Sequence, residues 1–343
     1  MERILVICHL VENRFDGQQS KTNDVIAALK NRGFDVEILN YGKISPLLVL
    51  FKSRKIMKRH TNILLMPGGK KALFLYTYLS KFFKQANFYY LAVGGWVVNL
   101  IENKKTRKKL KNLHNFKCVV LQNKQAIKVF EEHGFTNTSY IPTFSSKTGL
   151  TDIDFKKSLD EFNRSSEFRF CFFARVEESK GIFKACEVFK RINQIYSNVS
   201  FDIYGQIQKE EAGVDLQKYL DKRIKYQGVI HDDSIKTLSS YYCMVFPTFY
   251  HGEGMAHSII ESFMAGLPVI ATDWRFNSEL VKEGETGFLI SVDNLEEDLF
   301  NKIIYVIQNK NLIKNMRNNC FAISKEFDSD RVLKSFIDKI EKN

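Results

Sequence analysis

Short apolar runs alternate with amphipathic stretches along both halves of the 343-residue chain. RILVICHL, at residues 3–10, and CMVFPT, at residues 243–248, are typical of parallel strands that are buried on both faces. Segments with apolar residues at helical spacing lie between such runs, for example DVIAALKNRG at residues 24–33. The alternation predicts an α/β protein with doubly wound parallel sheets.

The same pattern divides the chain into two domains of ordinary size. We expect an N-terminal domain at residues 1–150 and a C-terminal domain at residues 160–324. Residues 145–166 are polar and irregular in pattern, which predicts a linker. A final amphipathic segment at about residues 325–343 predicts a helix.

Residues 247–290 carry the strongest functional signal, in the order strand, glycine-rich loop, helix, Gly-Leu-Pro turn and strand. Gly252 and Gly254 allow the backbone to approach a ligand closely, and a helix that follows such a loop can bind an anion at its N-terminus. Glu261, one turn into the helix, could reach hydroxyl groups of the same ligand. Glu253 lies in the loop, with seven residues between the two glutamates. An anion that carries hydroxyl groups describes a nucleotide sugar.

Each glutamate also has a simpler explanation. Ser258 and Glu261 fit the S-x-x-E capping box, in which Ser258 would cap the helix and Glu261 would satisfy N–H groups at its start. A loop glutamate such as Glu253 is usually solvated.

Two cations follow the earlier apolar run FRFCFFA. Arg175 and Lys180 lie in RVEESKG, just before an amphipathic helix. Preorganised cations could stabilise the negative charge that develops on a leaving nucleoside diphosphate. Alternatively, they pair with Glu177 and Glu178 on a solvated turn, where ion pairs contribute little.

Together these segments resemble the donor site of retaining glycosyltransferases of family 4, within glycosyl transferases group 1, which have the GT-B fold. GEGMA followed by ESFMAGLPVIATD is similar to the family's E-x7-E signature, with Ala256 in place of the usual proline. RVEESK keeps the family's spacing from arginine to lysine, with Ala174 in place of a glycine. The resemblance implies two Rossmann-like domains that face a central cleft, with the final helix packing back on the first domain.

The resemblance also implies roles for the matching residues. Arg175 and Lys180 would hold the diphosphate and, with Glu253, form the catalytic set. Glu261 would bind ribose hydroxyls, and the backbone after Glu253 would meet the transferred sugar. The donor-binding positions implied in this way are Glu261, Gly254, Met255, Ala256, Gly17, Gln18 and Gly205.

Glycines of the first domain have more than one interpretation. Gly17 and Gln18 lie in a polar stretch after the first strand, where they would approach the donor or acceptor, but an ordinary surface loop explains them equally well. Gly94, Gly95 and Trp96 follow the apolar run FYYLAV, and ligands bind at strand ends in open α/β sheets. We expect these three residues to line the acceptor side of the cleft, although Trp96 is as well suited to packing.

Positive charge is concentrated in the first domain. Residues 1–145 contain 24 Lys and Arg against nine Asp and Glu, whereas the whole chain has a net charge of +12. Such a surface can attract anionic lipid, nucleic acid or an acidic ligand. No nucleic-acid-binding module is recognisable, so we predict that it faces an anionic membrane. A solvated lysine-rich face is the alternative.

The N-terminus enters a strand directly, and no apolar run reaches the roughly 20 residues that span a bilayer. We therefore expect a cytoplasmic protein, peripheral on the inner face of the plasma membrane. The six cysteines and seven histidines lack metal-site spacing, so no metal or other cofactor is expected.

The resemblance implies a retaining, metal-independent enzyme that transfers sugar from a nucleoside-diphosphate sugar to a saccharide or lipid-linked saccharide. It also implies a place in bacterial surface polysaccharide synthesis, whether capsule, O-antigen or exopolysaccharide. Two alternatives remain: a nucleotide-sugar 2-epimerase of the same fold, and a non-catalytic subunit of a glycosyltransferase.

Overall fold

The computed structural model describes residues 2–10, 17–44, 46–208, 210–230 and 233–341. They form two compact units, which we call the first unit (Met1–Ser146 with Phe327–Asn343) and the second unit (Lys147–Glu326). Each unit is built on one six-stranded sheet in which every pair of neighbouring strands is parallel. The predicted α/β class with two doubly wound parallel sheets is confirmed.

The sheet of the first unit has the strand order β2-β1-β3-β4-β5-β6. Its central strands are buried on both faces, which explains their continuous apolar sequences. The strands are β1 (Arg3–Cys8), β2 (Asp35–Asn40), β3 (Asn62–Met66), β4 (Asn87–Leu91), β5 (Cys118–Leu121) and β6 (Thr138–Tyr140). The helices between them are α1 (Gly17–Asn31), α2 (Pro46–Met57), α3 (Lys70–Leu79), α4 (Trp96–Glu102), α5 (Lys104–Lys109) and α6 (Lys124–Glu132).

The sheet of the second unit has the order β12-β11-β10-β7-β8-β9. The strands are β7 (Phe168–Phe173), β8 (Val199–Tyr204), β9 (Ile224–Gly228), β10 (Cys243–Phe246), β11 (Val269–Thr272) and β12 (Gly287–Ile290). The helices are α7 (Asp152–Arg164), α8 (Ile182–Ile195), α9 (Glu210–Gln217), α10 (Ser234–Ser239), α11 (His257–Met264), α12 (Asn277–Leu280), α13 (Leu295–Gln308) and α14 (Lys310–Ser324). Aromatic packing fills its core, with Phe189 of α8 stacked on Phe201 of β8 at 4.1 Å between ring centroids.

The chain ends in the first unit with α15 (Ser329–Glu341), so the final helix begins two residues after Phe327. Leu333 and Phe336 of α15 share a hydrophobic core with Val25 and Leu29 of α1 and with the sheet. This core covers one face of the sheet, and α2 and α3 cover the other through Met57, Leu73 and Tyr76. Short 3-10 turns lie at Tyr41–Lys43, Ser80–Phe82, Lys111–Asn115, Glu178–Lys180 and Lys325–Phe327.

The irregular linker expected at residues 145–166 is wrong, because most of it is the 13-residue helix α7. Phe155 and Phe162 are buried on one stripe of α7, and Thr151 accepts a hydrogen bond as its N-cap. The fully buried Arg317 of α14 donates to the Ser158 hydroxyl of α7 at 2.7 Å and to the Ser239 carbonyl at 2.9 Å. Four apolar positions among nine polar ones were too few for the periodicity to be recognised.

All six cysteines are buried and free: Cys8, Cys118, Cys171, Cys186, Cys243 and Cys320. Burial raises the pKa of the Cys8 and Cys186 thiols to about 12. Within the described ranges, no helix combines the length and the hydropathy that crossing a bilayer requires.

The buried stripe of α7 gives a first prediction. Phe162→Ala should destabilise the protein by about 3–5 kcal/mol, since it removes a buried ring that stacks on Tyr242. Lys157→Ala, at an exposed position of the same helix, should change stability by less than about 0.5 kcal/mol. Urea unfolding of both variants tests this, and equal, negligible effects would contradict the packing of α7.

Candidate functional site

Arg175, Lys180 and Glu253 lie in loops at the carboxyl ends of β7 and β10, which are neighbours in the sheet. Arg175 and the turn Glu178–Lys180 follow β7, and the glycine-rich loop at residues 247–256 follows β10. Because the strands are parallel, the two loops leave the same edge of the sheet, as ligand-binding loops do in open α/β sheets.

Lys180 and Glu253 form a buried ion pair across these two loops. Lys180 Nζ donates to Glu253 Oε2 at 2.5 Å, and the Thr248 hydroxyl donates to the same oxygen at 2.8 Å. Lys180 is 6% exposed and Glu253 is 8% exposed. A charge so far from water is costly unless it is paired, so either residue alone would be left in an unfavourable environment. The solvated-loop explanation of Glu253 is therefore wrong.

Arg175 and Lys180 approach the same aromatic ring. The Arg175 guanidinium lies 5.1 Å from the centre of the Tyr250 ring, and Lys180 Nζ lies 4.9 Å from it. Arg175 also pairs with Glu177 at 3.2 Å. The alternative of pairing within the turn is therefore right for Arg175, whereas Lys180 pairs with Glu253.

The loop after β10 is fixed by contacts that the sequence did not reveal. The Thr272 hydroxyl donates to the Thr248 carbonyl, the Trp274 indole donates to the Tyr250 carbonyl at 2.8 Å, and the Phe249 N–H donates to the Ser179 carbonyl at 2.9 Å. Thr248 could have been noticed as a polar residue directly after an apolar strand. Tyr250 and Trp274 belong to no recognisable motif.

Two glycines permit the close approach of the strand ends. Gly181 has a φ of +71°, and a Cβ there would collide with the Pro247 carbonyl. Gly205 has a φ of +144°, and a Cβ there would collide with the Ala174 carbonyl, next to Arg175. The predicted position Gly205 thus controls the backbone that carries Arg175.

The helix α11 begins at His257, with Ala256 as its N-cap and no side chain capping its first turn. The capping-box expectation is wrong: Ser258 is the second residue of the helix, and Glu261 bonds elsewhere. Gly254, Met255 and Ala256 lead into this turn as predicted from the sequence. A first turn without a side-chain cap is where a helix can bind an anion.

Glu261 is enclosed by donors from three segments and is 5% exposed. Its Oε2 accepts from Lys147 Nζ at 2.8 Å and from the Ser234 hydroxyl at 2.5 Å, and its Oε1 contacts His257 Nδ1 at 2.9 Å. Burial by itself would raise the pKa of Glu261. Hydrogen bonding to His257 and the charges of His257 and Lys147 outweigh burial and lower this pKa to about 2. None of these three partners was predicted.

Gly17 and Gln18 take a different position from the one expected. Gly17 and Gln18 are the first two residues of α1, so their placement in a loop is wrong, and residues 11–16 lie outside the described residues. The polar segment QQSKTN conceals this helical start, because the apolar periodicity begins only at Val25.

Gly94 has a φ of +88°, Gly95 caps α4 and Trp96 is the first residue of that helix. The Trp96 indole donates to the Val93 carbonyl at 3.0 Å, and its ring packs partly against the core. The packing role therefore holds for Trp96. A place for these three residues on the acceptor side stays a prediction.

Comparison with known proteins gives three further findings. The family model described as glycosyl transferases group 1 matches residues 154–322. An uncharacterised glycosyltransferase of Methanocaldococcus jannaschii is 24% identical over 215 residues, which cover 59% of this chain and 52% of the relative. The capsular polysaccharide biosynthesis glycosyltransferase CapM of Staphylococcus aureus is 26% identical over 185 residues, which cover 51% of this chain and 48% of CapM. The matches thus span about half the length of these curated relatives.

Among solved structures, HepE of Anabaena in complex with UDP and glucose has a TM-score of 0.75 at 17% identity, with 100% of both chains covered. A further HepE structure, in complex with UDP-glucose, has a TM-score of 0.76. This likeness over the whole chain confirms the predicted GT-B fold.

The conformation of Gly205 leads to a prediction with an internal control. Gly228→Ala should lower the free energy of unfolding by about 1–2 kcal/mol, since Gly228 has a φ of +82° but open space around it. Gly205→Ala should cost more, because the Ala174 carbonyl must also move. Urea unfolding measures both, and equal losses would argue against the close approach at Gly205.

The lowered pKa of Glu261 predicts a pH-dependent contribution to stability. The unfolded-state pKa is near 4.5, so the contribution is fully present above that pH and is lost as the pH falls toward about 2. From about pH 5 to about pH 3, the free energy of unfolding should fall more steeply in the wild type than in Glu261→Gln, with roughly 3 kcal/mol lost by pH 2. The exposed-site control Glu285→Gln should keep the wild-type slope; a shared slope in all three proteins would contradict the prediction.

Proposed function

We propose that the protein is a retaining, metal-independent glycosyltransferase of family 4, because the family model for glycosyl transferases group 1 matches residues 154–322. Its donor is a nucleoside-diphosphate sugar, and its acceptor is a saccharide or a lipid-linked saccharide. The observation that carries this proposal is the buried Lys180–Glu253 pair. Lys180 shares the Tyr250 ring with Arg175, and Glu253 lies in the loop that leads into the first turn of α11, which no side chain caps.

The diphosphate binds between Arg175, Lys180 and the first turn of α11. Both cations are held on the Tyr250 ring, so they are oriented before the donor arrives. Lys180 neutralises Glu253, which lets a carboxylate lie close to the diphosphate without repelling it. Gly254, Met255 and Ala256 contribute backbone to the donor site, and Gly205 allows the Arg175 loop to come close enough.

Glu261 binds the ribose hydroxyls through its carboxylate. Lys147 and Ser234 now donate to the oxygen Oε2, and a ribose hydroxyl is a donor of the same kind. The Lys147 side chain is 42% exposed, whereas that of Glu261 is 6% exposed, so Lys147 is the partner that is least costly to displace. His257 holds the other oxygen and fixes the orientation of the carboxylate.

Transfer proceeds with retention and without a covalent enzyme intermediate. The bond from the anomeric carbon to the diphosphate oxygen breaks, and the acceptor oxygen forms a bond on the same face. The acceptor proton passes to the departing phosphate oxygen. Glu253 already accepts from Lys180 and Thr248, which makes its carboxylate a poor nucleophile and supports this route. The two cations stabilise the charge that develops on the leaving group.

The first unit binds the acceptor, with Gly94, Gly95 and Trp96 among its binding residues. Gly17 and Gln18, at the start of α1, approach the donor. HepE was solved with UDP and glucose, and CapM is named for capsular polysaccharide biosynthesis. These relatives support a uridine nucleotide as the first donor to test and surface polysaccharide synthesis as the setting. The basic first unit supports a place on the cytoplasmic face of the plasma membrane.

Donor binding is tested by thermal shift with UDP, GDP, ADP and CMP and their sugars, with and without EDTA. A nucleotide at 100 times its Kd adds about 2.7 kcal/mol of stability, which raises the Tm measurably. We expect a shift with one nucleotide series, unchanged by EDTA and lost in Arg175→Ala. Arg164→Ala, on the exposed side of α7, should keep it.

Two outcomes contradict the proposal. If none of the nucleotides shifted the Tm, the donor site would be contradicted. If EDTA abolished the shift, metal independence would be contradicted. NMR of the anomeric proton in the transferred sugar then tests retention, because inversion would exclude the route above. Release of a 2-epimerised sugar without acceptor would identify an epimerase instead.

A further inference from the structure

A surface of the first unit combines exposed aromatic side chains with lysine and arginine. It is formed by α2, α3, the turn Ser80–Phe82 and α5, and we call it the basic aromatic face. Phe51 is 73% exposed, Tyr78 is 54% exposed and Phe82 is 53% exposed. Large apolar side chains are seldom exposed so close together without a binding role.

Cations lie among these rings. The exposed ones that matter here are Arg54, Lys55, Lys58, Lys81, Lys84 and Lys109. In the described part of the chain, no carboxylate lies within the ion-pairing distance of 4.0 Å from any of the six. Residues 38–101 contain no acidic residue, and Glu37, just before them, pairs with His60 at 3.1 Å. The positive charge of this face is therefore not compensated locally.

Direct contacts connect α2 with the turn Ser80–Phe82 and with the end of α3. The Arg54 guanidinium of α2 lies 5.4 Å from the centre of the Phe82 ring, and Phe82 meets Tyr78 edge to face at 5.6 Å. Lys81 Nζ lies 5.0 Å from the centre of the Tyr78 ring. Phe51 and Lys55 lie four residues apart in the sequence, as do Arg54 and Lys58, and Arg54 follows Phe51 by three residues. Residues at this spacing lie on one face of a helix such as α2.

We infer that the basic aromatic face docks the protein on an anionic lipid bilayer. Lysine and arginine attract anionic headgroups, and exposed aromatic rings insert at the boundary between headgroups and acyl chains. Cations that lie over aromatic rings can follow them into this boundary while keeping their charge near the phosphates. The inference rests on the proposed function in one respect: docking on the bilayer brings the proposed enzyme to a lipid-linked acceptor.

The opposite side of the same sheet provides a matched control. There α1 and α15 carry exposed Lys30 and Lys334, and Arg32 lies 3.8 Å from Asp338. Lys55→Glu/Lys58→Glu and Lys30→Glu/Lys334→Glu therefore change the net charge of the first unit equally, on opposite faces. Only the first pair lies on the basic aromatic face.

The test is co-sedimentation of the full chain with phosphatidylcholine vesicles, with and without phosphatidylglycerol. We expect binding to the anionic vesicles only, weakened by salt. Lys55→Glu/Lys58→Glu should bind about tenfold more weakly or worse, since each cation near an anionic surface contributes about a fivefold change in affinity. Lys30→Glu/Lys334→Glu should bind like the wild type. Phe51→Ser/Phe82→Ser should lose the part of the binding that persists at high salt.

Three results would overturn the inference: equal binding to neutral and anionic vesicles, equal loss in the two lysine variants, or retention on DNA without vesicle binding. The last would identify a nucleic-acid surface, in which the rings stack on bases. Circular dichroism and the nucleotide-induced thermal shift are measured on each variant. A variant that keeps its nucleotide shift but loses vesicle binding separates this inference from the proposed donor site.

Discussion

The second unit depends on surrounding two buried carboxylates with hydrogen-bond donors. Removing a carboxylate from water is so costly that it must be surrounded by donors, and neither Glu253 nor Glu261 has enough donors within its own segment. Glu253 takes Lys180 from the loop after β7, and Glu261 takes Lys147 and Ser234 from segments far away in the sequence. Each carboxylate thereby links segments that are distant in the sequence by direct hydrogen bonds.

Glycine makes these contacts sterically possible. The loop that carries Arg175 and Lys180 is closely packed at two glycines: Gly205, after β8, lies against the Ala174 carbonyl, and Gly181 lies against the Pro247 carbonyl. A side chain at either glycine would force the backbone apart. The hydrogen bonds from Thr272 and Trp274 then hold the loop after β10 from its other side. The geometry of the site is thus set by the backbone and by buried polar bonds, and the charged side chains complete it.

Much of the fold could be predicted because hydrophobic periodicity reports burial. Strands buried on both faces, such as β1 and β10, are unbroken apolar runs, and their alternation with amphipathic helices is sufficient for the fold class. The failures have physical reasons as well. Helix α7 buries so narrow a stripe that its sequence is typical of a linker, and α1 begins with polar residues that favour neither a helix nor a loop. The capping box at Ser258 and Glu261 failed because a long-range partner, Lys147, competes for the carboxylate, and local sequence carries no record of such partners.

The six buried thiols can serve as native probes of local unfolding. Cys8 and Cys118 lie in the first unit, whereas Cys171, Cys186, Cys243 and Cys320 lie in the second. A thiol reagent reacts only with an exposed thiolate, so each cysteine is modified no faster than the structure around it opens. Since every thiol is native and buried, labelling followed by peptide mass analysis would assign a separate opening rate to each unit without any introduced probe.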